Sequence, residues 1–465
     1  MIVPQALSDR ILAECLGRPQ AYRELGWLCD HVGGRASGLE SGRRGEEWAF
    51  GLLSRWGLEN VHYEEFPVTA WKRGTLRAHV LEPISWDLTA LAHGNAPAYA
   101  EVTAPILDSN HGEPSDYARL QGAVRGKIVL CDEGVSAGKR ALHRSEKLRL
   151  AAEHGAAALM IFSSASGGLP RTGVCHRQEA PIPSLGISQE DGARLRRLIA
   201  AGAAPLARIE MTNAFTAGIA RNVIGELRGS ERPEEIVLAG GHLDSWDVAQ
   251  GATDNGLGTA IVLEMARTLA GLTERPRRTL RFAVWAAEEI GLCGSWDHAR
   301  RHADDLPRFA GVMNFDMTAD PYGYWAPRLA GGTPADAPGE ALLRRLAEQL
   351  APLGMRQEFA HRAGLHSDHQ PFMLAGVPVL ALLSTNATQG AHYYHSVGDT
   401  FEKVSLPAFC RAAAVGAHTL WALADAPVRP FPTLDPRQVR QLIDEADLYD
   451  ALLAEDYDGP PMHTS

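Results

Sequence analysis

The 465 residues are 45% hydrophobic and 22% charged, an ordinary composition for a folded chain long enough for two or three domains. A formal net charge of −11 argues against nucleic acid and against an anionic membrane surface as partners, because both demand a basic face. Six cysteines, at 15, 29, 131, 175, 293 and 410, form no C-x-x-C pair. That excludes a thiolate zinc site and a disulfide scaffold and favours a reducing compartment.

The first residues, MIVPQALSDR, lack a basic stretch followed by an apolar one. No apolar run approaches the roughly 20 residues of a membrane span. The chain as given reads as cytoplasmic, or as secreted or periplasmic if it is a trimmed mature form. Residues 8–31 predict one or two helices, with Leu, Tyr, Trp and Cys on one face. A Gly/Arg/Ser-rich loop follows, GGRASGLESGRRG, and then a helix from Glu46 to Trp56. Val61–Val68 and Thr75–Leu81 alternate as two strands at a sheet edge.

From about residue 95 the texture changes. Strand Lys127–Cys131, a helix across Arg140–Glu153 and strand Ala156–Phe162 form a cycle of their own. Pro181–Ile187, a helix from Glu190 to Ala201 and a strand near Ala207–Met211 complete it. Segment 95–215 reads as an inserted domain, and its His111, His143, His154 and His176 share no spacing, so they read as surface or packing residues. Residues 1–94 then form the N-terminal part of the domain that resumes at 216 and runs to 425.

In that second half strands and helices alternate. Strands Asn222–Leu227, Glu235–Gly240, Thr279–Trp285, Gly311–Asp316 and Pro378–Leu382 are interleaved with four helices. The helices are one from Asn255, one across 291–302, Gly339–Leu350 and Leu406–Leu423. The fold class is α/β: a mostly parallel mixed sheet sandwiched by helices, with the smaller α/β domain inserted. Residues 426–465 are a proline-rich connector, a short acidic helix and a polar tail.

The strand ends carry the chemistry. His242, Asp244 and Asp254 lie in a glycine-rich loop between a buried strand and a helix, where open α/β sheets build ligand sites. Taken alone, that loop also reads as a polar connection with a solvated His. Glu288 and Glu289 follow Trp285, Asp316 ends another strand, and His395 sits in a later loop. In a parallel sheet these ends lie along one edge, so the groups can converge. Imidazole with carboxylate suits a zinc-like ion, and Asp244, two residues after His242, is a candidate to back that imidazole. Of two adjacent Glu, one can bind metal while the other faces the attacking water. No G-x-S-x-G occurs and no Cys has an activating context, so nucleophilic catalysis lacks support.

The set H-x-D-S-W-D, G-A-T-D-N-G, E-E, N-F-D and H-S-x-x-D-T resembles the M28 family of co-catalytic zinc metallopeptidases, and GGHLDSWDVAQGA is most similar to its carboxypeptidase Q (plasma glutamate carboxypeptidase) branch. Segment 95–215 resembles a protease-associated domain. The resemblance implies two Zn²⁺ per chain, with His242 and Asp316 on one, Glu289 and His395 on the other, and Asp254 bridging. It implies Glu288 as general base, with Asp244 beside it among the catalytic residues. Where that branch often has His-Asp-Asp, this chain has Thr253-Asp254-Asn255, with the bridging position unchanged. His366, Asp368 and His369 of GLHSDHQPF, and Tyr393 and Tyr394, are candidates to line the cleft or to pack beside it.

The implied activity is a di-zinc exopeptidase of carboxypeptidase or dipeptidase type on a small peptide substrate, with no nucleic-acid or membrane partner and with a homodimer left open. Such an enzyme needs a cation for the terminal carboxylate, for which His361, Arg362 and His369 are the nearest candidates. An M28 aminopeptidase is the alternative reading. A glutaminyl-cyclase-like acyltransferase with one zinc, or a receptor-like module with none, would lack part of the five-ligand set.

Overall fold

The computed structural model describes residues 2–329, 338–385 and 390–455. Its centre is the strand Arg232–His242, flanked in parallel by Arg278–Trp285 on one side and Phe309–Asn314 on the other. Val379–Ser384 adds a further parallel strand, and Pro321–Trp325 pairs antiparallel beyond it. Side chains alternate along the central strand. Val237 and Ala239 join a core with the helices Gln5–Gly17, Leu257–Ala270 and Leu406–Asp425. Ile236 and Leu238 face the other way, against Phe372 and Ala299 and against Leu442 of the helix Pro436–Ala446. Both faces are thus covered, which is why these strands read as continuous apolar runs rather than as alternating ones. Each fully buried Leu or Ile there contributes about 1.5–3 kcal/mol.

Two long antiparallel strands, Glu59–Glu82 and Leu206–Leu227, form a ribbon that joins the two halves of the molecule. Val223–Leu227 pairs with Leu280–Val284 of the main sheet, while Leu206–Thr212 pairs with Tyr99–Pro105 of a smaller sheet. That smaller sheet continues in parallel through Ile128–Asp132, Ala158–Phe162 and Ser184–Ile187. The helices Arg144–Glu153 and Gln189–Ala200 pack on it. The α/β class and the mostly parallel mixed sheet expected from the alternation of elements are both borne out.

Several element bounds differ from the sequence reading. The expected pair Val61–Val68 and Thr75–Leu81 is one strand, and so is the pair Ala207–Met211 and Asn222–Leu227. The polar middles need no turn because they pair with each other, Lys72 with Ala214 and Trp71 with Phe215. The latter half of the Gly/Arg/Ser loop belongs to the helix Glu40–Arg55, which begins well before Glu46. Gly42 and Gly45 allow this, since a Cβ would meet Ala36 O at 2.5 Å and Leu243 at 3.2 Å. Pro321–Trp325 escaped prediction because it is a short strand that starts on a proline, a position that suits a strand beginning. Residues 456–465 of the polar tail lie outside the described residues. Among the described residues no helix is long and apolar enough to cross a membrane.

Candidate metal centre

The loop after the central strand is held by backbone and amide contacts that bring it against a neighbouring strand end. Asn255 donates through Nδ2 to Phe315 O at 2.8 Å, and its Oδ1 accepts from the N–H groups of Gly258 and Met317, each at 3.0 Å. A Cβ at position 258 would lie 2.1 Å from Phe315 O, so only glycine permits this approach. Asp254 and Asp316 thereby face one another across His242.

His242 Nε2 lies 3.4 Å from Asp254 Oδ1, 3.6 Å from Asp316 Oδ1 and 3.8 Å from Glu288 Oε2. His395 Nε2 lies 3.0 Å from the other Asp254 oxygen and 3.1 Å from Glu289 Oε2. The five expected ligands therefore form two three-residue groups that share Asp254. Each imidazole has its Nδ1 placed against a carbonyl, Asp244 O at 3.1 Å for His242 and Thr172 O at 3.3 Å for His395. A proton kept on each Nδ1 would leave both Nε2 lone pairs facing carboxylate oxygens, which is the arrangement in which a metal cation would sit between them.

The electrostatics agree. Burial pushes the Glu288 carboxyl well above its ordinary range, against the pull of His242 and with the push of Asp316 and Glu289. Burial also raises Glu289, whose Oε1 has no hydrogen-bond partner among the described residues. Burial disfavours charge on His242, yet Glu288 and the neighbouring aspartates carry its pKa well up. Burial alone would raise Asp254 too, but the two imidazoles hold it below the usual carboxylate range. A buried cluster this rich in carboxylate is short of positive charge, and the imidazole and carboxylate donors present fit a zinc-like dication.

Asp244 has a second part beyond the one its spacing suggested. Its carboxylate is 3.7 Å from His242 Nδ1 and helps raise that imidazole, while its own carbonyl makes the closer contact. The carboxylate also accepts the backbone N–H of Glu288 and of Glu289, each at 3.1 Å, and so fixes the paired glutamates.

Three further positioning groups were not singled out from the sequence. Asp399 accepts from the Thr253 N–H at 2.7 Å and the Asp254 N–H at 3.0 Å. Ser367 Oγ donates to Asp316 Oδ2 at 2.7 Å. Thr172 comes from the inserted segment. The first two lie inside the motifs H-S-x-x-D-T and GLHSDHQPF, so proximity to a ligand was the available clue.

The site opens into a cavity of about 400 Å³. Its wall from the inserted segment includes His143, Arg144, His176 and Arg177, which corrects the reading of His143 and His176 as mere surface or packing residues. His111 and His154 do serve packing: His111 pairs with Asp132 at 2.6 Å and His154 stacks on Tyr117. His366 lines the cavity, stacks on His143 at 4.3 Å and pairs with Glu455 at 2.6 Å. Tyr394 also lines it, stacked on His395. Tyr393 lies against His392 and Lys403. Asp368 is buried nearby and pushed up by that burial to about 7.

The expected carboxylate receptors lie elsewhere. His361 and Arg362 bond the carbonyls of Ala326 and Ala446, and His369 bonds Gly364 O beside Trp325. The cations that do face the cavity are Arg144, Arg177 and Arg300. All six cysteines are free thiols, five of them buried, and burial pushes those of Cys15, Cys29, Cys131 and Cys175 up to about 12. None is suited to nucleophilic attack.

Comparison with known proteins agrees with this geometry. The profile of Peptidase family M28 matches residues 222–420, and that of the PA domain matches 98–195. Carboxypeptidase Q of Mus musculus is 31% identical over 414 residues, which cover 87% of this chain and 86% of the relative. The probable lipoprotein aminopeptidase LpqL of Mycobacterium tuberculosis is 34% identical over 294 residues, 61% of this chain and 55% of the relative. The crystal structure of a Peptidase M28 precursor from Shewanella amazonensis superposes with a TM-score of 0.81 at 26% identity, covering 93% of this chain and 99% of the other. The chain belongs to peptidase family M28, and is a metallopeptidase with a PA domain inserted ahead of its catalytic half.

Proposed function

We propose that the chain is a di-zinc exopeptidase of carboxypeptidase or dipeptidase type, acting on dipeptides or short peptides with a free C-terminus. The observation that carries the two-metal reading is the pair of three-residue groups sharing Asp254. His242, Asp254 and Asp316 would hold one zinc; Asp254, Glu289 and His395 the other. Two ions held there would polarise the scissile carbonyl and activate a water.

The remaining work falls to side chains. Glu288 faces the same space as the His242 Nε2 without being needed in either group. It takes the proton of the attacking water and returns it to the leaving amine. Asp244 keeps Glu288 and Glu289 in register through their N–H groups. Arg144, Arg177 and Arg300, on the cavity wall, supply the positive charge a terminal carboxylate requires. Carboxypeptidase Q as a relative supports the same polarity.

An aminopeptidase is the second reading, favoured by one observation besides LpqL: Glu455 also lines the cavity and offers a carboxylate to an ammonium group. A dipeptide, its C-terminal amide and its N-acetyl form separate the two. The proposal expects cleavage of the free acid well above the amide. If the amide is cleaved equally and the N-acetyl form is inert, the enzyme is an aminopeptidase.

A further inference from the structure

A second constellation of ligand-type residues lies away from the cavity. The helix Cys293–Arg301 and its cap carry His298 and His302 in the run HARRH, an i, i+4 pair that places both rings on one helix face. The ring centroids are 4.4 Å apart. Opposite them, the strand Glu59–Glu82 presents His62 and Glu64, two residues apart and hence on one face of the strand. Glu64 Oε2 is 2.7 Å from His298 Nδ1, and Glu64 Oε1 is 2.7 Å from His302 Nε2. His62 Nε2 stands 3.9 Å from the same Oε1. Glu64 and His298 are buried, while His302 and His62 reach solvent and leave a way in.

The setting of His298 sharpens the point. Its Nε2 is buried with no hydrogen-bond partner among the described residues, and the ring is boxed by Trp285, Phe309 and Phe372. The other nitrogen, Nδ1, is 2.7 Å from the Glu64 carboxylate, as is Nε2 of His302, so one ligand-type atom from each of the three residues already converges on one point.

We infer that Glu64, His298 and His302, with His62 at the edge, form a structural zinc site separate from the catalytic pair. Two imidazoles and a carboxylate are a zinc-type donor set, and helical H-x-x-x-H is a spacing that presents two rings to one ion. The ion would pin the helix Cys293–Arg301 to the ribbon strand. That helix carries Trp296 and Arg300 of the cavity wall, so the site would hold one side of the substrate cleft in place.

The full chain is stripped with chelator, reloaded from buffered low-micromolar zinc, and its metal counted by elemental mass spectrometry. His302 is partly exposed, so His302→Gln is the variant least damaging to folding, and it is expected to bind one zinc per chain fewer than wild type. A second variant, His242→Ala with His395→Ala, removes the catalytic ligands and is expected to keep one zinc. Zinc should raise its unfolding temperature, and adding His302→Gln should abolish that rise. Equal zinc counts in wild type and His302→Gln, with none bound by the double variant, would overturn the site whatever the catalytic stoichiometry proves to be.

Discussion

The part played by Asp244 can be tested with a substitution that barely alters shape. In Asp244→Asn one carboxylate oxygen becomes an NH₂ group, which must face the backbone N–H of Glu288 or of Glu289. Each of those N–H groups now has an oxygen 3.1 Å away. Asp244 is 3% exposed, so water cannot replace the lost acceptor. A buried hydrogen bond to a charged group contributes about 1.5–3 kcal/mol, which at about 1.4 kcal/mol per decade is a factor of roughly 10 to 150. The affected peptide carries both the proposed base and a proposed ligand. The loss is therefore expected in kcat/KM or in zinc retention, at roughly 10–100-fold, the scale usual for groups that orient metal ligands. Stopped-time hydrolysis of a dipeptide, with zinc counted on the same samples, measures both. Unchanged kinetics together with unchanged zinc would refute the claim that this carboxylate holds the glutamate pair.

Other outcomes follow from the same geometry. Glu288→Gln should keep both metals and lose about 10²–10⁴-fold in kcat, the usual worth of a positioned base; substantial residual turnover would mean that base and ligand have been exchanged. Arg144→Gln should raise KM for a free-acid dipeptide by about 10–100-fold, the worth of a charge-assisted contact, while leaving the amide unaffected; a parallel loss on both substrates would point to damage at His395, 3.3 Å from Arg144 Nη2. In the inserted domain Asp132 is opposed by burial, yet its bonds to His111 and Arg196 hold it below the ordinary carboxylate range. A depressed carboxylate contributes stability above its unfolded pKa and loses it as pH falls through the folded one. Asp132→Asn should therefore unfold at lower denaturant at pH 7, with the deficit to wild type closing only in acid; a constant deficit across pH would disprove the linkage. Alanine at His111, His143, His154 or His176 should leave zinc content intact by elemental analysis, since none belongs to either catalytic group.

What the sequence determined was set by short-range patterns. The strand Arg232–His242 and the helix Leu257–Ala270 are legible because apolar runs and 3.6-residue periodicity are local properties. His242, Asp254, Glu289, Asp316 and His395 were legible for a related reason: each follows a strand or closes a loop along one edge of a parallel sheet, and the order of strands brings those positions together. The groups that orient them were not. Thr172 lies 223 residues from His395, Asp399 is 145 residues from Asp254, and Ser367 is 51 from Asp316. Asp399 and Ser367 lie in motifs close to a ligand, but nothing local shows which group each would hold, since that depends on where a distant backbone passes. The ribbon Leu206–Leu227 shows the same limit, as its polar middle reads as a gap until the partner strand supplies the hydrogen bonds. Tertiary packing also moved the cavity's positive charge to Arg144 and Arg177 of the inserted domain, because the ribbon folds that domain over the sheet edge on which the ligands stand.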